Sequence, residues 1–103
     1  MMKEIKLLSD HIEDELEDAE DYATLANEYK MSEPEMAALF YKLSGEEMGH
    51  MDMLHKKVVE LIEKYRREHG APPVAMQAVY DHLHKRFIAH AEKVTNLQNM
   101  FRK

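Results

Sequence analysis

Apolar residues recur at alternating steps of three and four along most of the chain, which is the period of one helix face and not of a strand. From Ile5 the first series runs through Leu8, Ile12, Ala19, Tyr22, Ala26 and Tyr29. A second takes Met36, Phe40, Leu43, Leu54, Val58, Leu61 and Tyr65, and a third Met76, Val79, Leu83, Phe87, Val94, Leu97 and Phe101. Two breaks separate them. Ser32-Glu33-Pro34-Glu35 reads as a capping box with Ser32 at the N-cap, Pro34 inside the first turn and Glu35 at the third helical position. His69-Gly70-Ala71-Pro72-Pro73 ends the next helix, since glycine suits a left-handed C-cap and the prolines forbid continuation. The pattern predicts an all-α fold of three long helices over about 3–30, 33–69 and 74–101, in a single domain spanning 1–103. At about 1.5 Å per residue the second helix is on the order of 55 Å long, so the bundle is expected to be elongated.

The exceptions inside these series carry the chemistry. Glu15 falls on the inner stripe of the first helix, and Glu47 and His50 fall on that of the second. In an antiparallel hairpin, residues equidistant from the turn lie at one height, and Glu15 and Glu47 are each sixteen residues from Met31. His50 follows Glu47 by three and shares its helix face. A carboxylate without a partner in an apolar interior costs several kcal/mol or takes up a proton. No Lys or Arg lies on either inner stripe. A shared divalent cation neutralises all three groups, and an oxygen-plus-imidazole set suits iron, manganese or zinc better than magnesium or calcium.

Composition narrows the field. The chain has no cysteine, so thiolate metal sites, disulfide frameworks and cysteine nucleophiles are excluded, and any metal must be held by oxygen and nitrogen. Fourteen basic against twenty acidic residues give a net charge of −6, which argues against nucleic acid as a partner. The longest unbroken apolar run is Met36 to Tyr41, too short for a membrane span, and the acidic N-terminal region does not resemble a signal peptide; a cytoplasmic location is the expectation. Charge is uneven: residues 1–35 hold three basic and twelve acidic side chains, residues 55–103 ten and five. Seven carboxylates crowd into Glu13–Asp21, either as a solvated face that complements the basic helices or as a patch that draws cations.

Neighbouring residues are candidates to support a metal. His11 precedes Glu15 by one turn, Tyr22 follows it by seven on the same stripe, and Asp18 offers a further oxygen. His90 counts back across the second turn to the height of Leu54, close to the same level, whereas His82 and His84 project away and receive no role. Met48, Met51 and Met53 read as adaptable core filling rather than a soft-metal site. Gly45 and Gly49 lie four apart on one face of the second helix, which suggests close approach by another backbone.

These residues carry a resemblance. Glu15, Tyr22, Leu25 and Ala26, followed by Ala37-Ala38-Leu39-Phe40 and then by Glu46-Glu47, His50 and Leu54, look like the first half of a rubrerythrin-like domain of the ferritin-like superfamily, over about residues 5–65. Members of that superfamily hold two metal ions in a four-helix bundle with a Glu from each of two helices and a Glu-x-x-His from each of the other two. This chain supplies half of that set, in the manner of the short encapsulated ferritins, which build a di-iron centre between two subunits. The resemblance therefore implies a helical hairpin that pairs with a second chain, in a homodimer or higher homo-oligomer, with two iron ions per dimer and a ferroxidase-type oxidoreductase activity on Fe(II). It implies Glu15 as a terminal ligand, Glu47 as a bridging carboxylate and His50 as a terminal nitrogen ligand. Asp18 departs from the pattern, standing where family members usually have a small residue, and residues 74–103 contain no second Glu-x-x-His. No rubredoxin domain is present, and the Asn99–Lys103 tail does not look like an encapsulin-targeting extension. Two other readings stay open: a non-catalytic helical assembly protein on the same scaffold, and a mononuclear zinc or manganese site within one chain using Glu15, Glu47, His50 and Asp18.

Overall fold

The computed structural model describes residues 2–103 and contains three helices, α1 (Met2–Tyr29), α2 (Pro34–His69) and α3 (Val74–Arg102), with no strand among the described residues. They run up, down and up in a body measuring 56 × 18 × 17 Å, elongated as the helix lengths require. No helix is long and apolar enough to cross a membrane among the described residues. One cluster, formed by Ile5, Ile12, Leu16, Met51, Val58, Ile62 and Phe87, joins all three helices. α1 is the middle element: both other helices pack along it, while the backbones of α2 and α3 seldom come close to one another.

The first connection differs from the expected capping box by one residue. Glu33, not Ser32, is the N-cap of α2, at φ −138° and ψ 72° with no side-chain cap bond, and Pro34 opens the helix. The cause is steric: a proline drives the residue before it out of the helical region, so the helix cannot include Glu33 and starts on the proline ring. At the other end Gly70 stands at φ 80° and ψ −157°, a region closed to side chains, and its N–H donates to the Arg66 carbonyl at 2.9 Å. The two prolines behind it then release α3.

The buried stripes match the expected ones at Ile5, Ile12, Ala19, Ala26 and Val58 and are offset at the positions between. On α1 the seam is Ile5, Ser9, Ile12, Leu16, Ala19, Ala23 and Ala26, so that Leu8, Glu15, Tyr22 and Tyr29 form a half-buried margin beside it. On α2 the seam is Ala37, Ser44, Met51, Val58 and Ile62, and Phe40, Leu43, Glu47, Leu54, Leu61 and Tyr65 flank it. Toward the first turn the seam is made of small side chains, Ala19, Ala23, Ala26, Ala37 and Ser44, and bulky ones seal its edges, as the Tyr22–Phe40 stack does with ring centroids 6.2 Å apart. Of the third series only Phe87 and Val94 are buried, and Val79 is exposed. Of the three methionines read as core filling, Met51 is buried, Met48 is half-buried and Met53 is exposed.

Polar contacts fix the register across the seam. The Ser44 hydroxyl, fully buried, donates to the Ala19 carbonyl at 2.7 Å and accepts from the Gln98 amide at 2.9 Å, so one side chain ties the three helices together. Asn27 donates to the Leu97 carbonyl at 2.9 Å. Near the ends, Arg102 hydrogen-bonds the Tyr41 hydroxyl, and the Tyr41 and Phe101 rings stack at 4.7 Å.

The expectation of a backbone packed against Gly45 and Gly49 is not met by this chain: a methyl group at either position finds nothing within 4 Å, and both glycines are exposed. They are ordinary helix-weakening glycines here. Gly45→Ala and Gly49→Ala are each expected to raise the stability of the isolated chain by about 1 kcal/mol in urea unfolding.

α2 and α3 also meet where His55 Nε2 lies 3.4 Å from His84 Nδ1. Burial holds the His55 imidazole below its ordinary pKa of 6.5 and the adjacent His84 lowers it further, while Asp52 acts in the opposite direction. The unfolded chain therefore binds a proton here more readily than the folded one. The stability contributed is complete above pH 6.5 and is lost as the pH falls through 6.5 and on through the lower folded value. In the presence of a chelator, the unfolding midpoint of the wild type is expected to fall more steeply below that pH than that of His55→Gln; parallel curves refute the assignment.

Candidate metal centre

Glu15 and Glu47 project from facing margins of α1 and α2, Glu15 one residue before the buried Leu16 and Glu47 one turn after the buried Ser44. Leu16 anchors the first; Ser44, one turn before Glu47, anchors the second through its bond to Ala19, one turn after Glu15. That bond sets the two carboxylates level. His50, one turn beyond Glu47, brings its Nδ1 to 3.5 Å from Glu15 Oε2 and 3.6 Å from Glu47 Oε2. One donor atom from each of the three residues lies within 4.8 Å of the others, the only such group of three or more among the described residues.

Burial grades across the cluster. The Glu47 and Glu15 side chains are 19% and 25% exposed, whereas His50 is 57% exposed, so the imidazole stands at the rim and not on the inner stripe that its spacing suggested. Glu15 Oε2 is buried and has no hydrogen-bond partner. The His50 contacts are too long to be good N–H···O bonds, which cluster near 2.9–3.0 Å. They match another geometry: donors held about 2.1 Å from one tetrahedral ion stand roughly 3.4 Å apart. Two carboxylate oxygens and one imidazole nitrogen thus form a group that could hold a metal ion.

The surrounding candidates divide. Tyr22 is half-buried beside the seam and packs its ring on Phe40. His11 and Asp18 are exposed, and Asp18 does not join the donor cluster. His90 is on the other side of α1: its Nδ1 is 3.2 Å from Glu13 Oε1 and its Nε2 is 3.3 Å from Glu20 Oε1, with Arg86 and Lys93 pairing the same two carboxylates. Height along the bundle alone does not reveal this, because α3 lies against the flank of α1 that carries Glu13, Glu20 and Asn27, turned away from Glu15. The crowded carboxylates of Glu13–Asp21 therefore serve three settings: one faces the cluster, two face α3, and the rest are solvated. The His55–His84 pair had no forecast, although the two residues lie fifteen and fourteen positions from Gly70, the same equidistance that aligns Glu15 with Glu47.

With no metal to share it, the buried Glu15 oxygen is a cost to the fold. In chelated protein, Glu15→Leu is expected to raise stability by about 1 kcal/mol, the usual sign when a poorly paired buried charge gives way to an apolar group, and to abolish the thermal shift caused by added Fe(II). A Glu15→Leu protein less stable than the wild type under chelation would show the oxygen to be satisfied.

Comparison of the chain with protein-family models, with curated proteins and with solved structures finds no match in any of the three.

Proposed function

We propose that this chain is a di-metal carboxylate protein of ferritin-like type, which binds and oxidises Fe(II) at a centre completed by a second copy. The observation that carries the reading is the convergence of Glu15, Glu47 and His50 at one level of the hairpin, with a buried Glu15 oxygen that accepts no hydrogen bond. Three donors are half of the set that holds two ions in a ferritin-like bundle. α3 adds none, since His90 is engaged with Glu13 and Glu20.

The outer side of the cluster suits completion from a partner. The α2 face that carries His50 also carries Met36, Leu39 and Leu43 at steps of three, four and seven, and Met36 and Leu39 are 36% and 53% exposed. A second hairpin laid on this face covers those apolar groups and presents its own three donors opposite the first.

In this reading Glu15 and Glu47 would hold the metal through carboxylate oxygens and His50 through a ring nitrogen. Bound iron supplies the electrons, which pass to dioxygen or peroxide as co-reactant. The chain's contribution is electrostatic: hard carboxylate oxygens favour the ferric over the ferrous state. The acidic residues around Asp14, Glu17, Asp18 and Asp21 raise the local concentration of cations before they bind.

A mononuclear site is the second reading. It is favoured by the approach of one His50 nitrogen to both carboxylates at 3.5 and 3.6 Å, the spacing of a single coordination sphere. Manganese or zinc serves as well as iron in that case.

Anaerobic Fe(II) titration followed by air, combined with the solution mass, separates these readings. The di-metal centre predicts about two ions per dimer, dimerisation strengthened by metal, and ferric absorbance that is lost in the Glu15→Ala, Glu47→Ala, His50→Ala variant. One ion per monomeric chain supports the mononuclear site. No uptake, or uptake undiminished in the triple variant, overturns both and leaves a helical scaffold without metal chemistry.

A further inference from the structure

A second set of nitrogen donors lies on the opposite face of α2. His55 follows His50 by five positions, about 140° around the helix and roughly 7.5 Å along it, and it belongs to the contact with α3. His55 Nε2 and His84 Nδ1 are 3.4 Å apart, with ring centroids at 5.4 Å and planes 21° from parallel. Tyr80, one turn before His84, stacks on the same ring at 5.7 Å and holds it in place. As a hydrogen bond between two neutral imidazoles the contact is long and uses one proton for two nitrogens. The separation is instead the one that two nitrogens adopt when each lies about 2.0–2.1 Å from a single tetrahedral ion.

The surroundings leave room for water to complete what two imidazoles begin. The pair opens on a cavity of about 100 Å³ bounded by Met51, Asp52 and Phe87, room for an ion with one or two waters at about 30 Å³ each. Asp52 is three residues before His55, on the adjoining part of the same helix face, and its charge favours a cation at that imidazole. Met51 places a thioether in the same wall.

We propose that His55 and His84, with water in the remaining positions, form a second and independent metal site that takes a borderline divalent cation of the zinc or copper(II) class. Its donor set is richer in nitrogen than the Glu15–Glu47–His50 cluster, so the two sites sort metals by hardness: oxygen-rich for iron, imidazole-rich for zinc or copper. The ion staples α3 to α2, two helices whose backbones seldom approach. Nothing in this assignment depends on the function of the first cluster.

Zinc alone is the probe, because it has no redox chemistry to confuse the readout. The Glu15→Ala, Glu47→Ala, His50→Ala variant, stripped of metal, is titrated with Zn(II) against a chromophoric chelator and followed by thermal unfolding. The expected result is one equivalent per chain and an unfolding midpoint that rises with free zinc, as linkage requires. Adding His84→Gln is expected to weaken binding by about a hundredfold or more, beyond the cost of disturbing a group that merely orients a ligand. Ring-nitrogen NMR of the wild type under chelation and then with zinc reads the same site without mutation: the His55 and His84 signals shift, while those of His69, His82 and His90 stay. A triple variant that binds no zinc, binding indifferent to His84→Gln, or shifts confined to other histidines overturns the proposal. If His84→Gln costs the protein its helicity, the wild-type NMR result decides.

Discussion

The hydroxyl of Ser44 is the point on which the arrangement turns. Buried completely, it gives its proton to a carbonyl of α1 and receives one from an amide of α3, so its position is acceptable in a single register of the three helices. A buried polar group left unpaired costs about 1–3 kcal/mol, and that penalty falls on every slipped packing. Because Ser44 is one turn from Glu47 and Ala19 one turn from Glu15, the same bond that closes the seam also brings two like charges to one height. The candidate centre is a by-product of register, held from beneath by a neutral contact and not by attraction among its own members.

Much of this was readable from spacing. Helix lengths and breaks followed from the 3.6-residue period and from Gly70, Pro72 and Pro73, and the pairing of Glu15 with Glu47 followed from their equal distance to Met31. The offset of the seam was not readable. Pattern reading ranks positions by bulk and so placed Tyr22, Phe40 and Leu43 inside, whereas close-packed helices put Ala23, Ala37 and Ser44 there. His50 lost its place on the inner stripe for the same reason. The partners of His90 depended on which flank of α1 receives α3, a tertiary fact that no local spacing encodes.

α1 thus carries two different electrostatic edges on either side of one seam. Along the first, Glu15 looks toward α2 and holds a buried oxygen that accepts no hydrogen bond. Along the other, Glu13 and Glu20 are matched by Arg86, His90 and Lys93. An acidic segment that looks uniform in sequence is therefore satisfied on one edge and unsatisfied on the other, and it is the unsatisfied edge that has chemistry to offer.

The matched edge has its own logic. Glu13, Glu20 and Asn27 repeat every seven residues, so sliding α3 by two turns along α1 would restore much of the apolar packing and is the competing alignment to defeat. Moved one way, the His90 ring would rest between Glu20 and the uncharged Asn27; moved the other, it would sit beside the ammonium of Lys6. Only the native placement puts an acid at each ring nitrogen, which makes this imidazole a phase marker that distinguishes otherwise equivalent heptads.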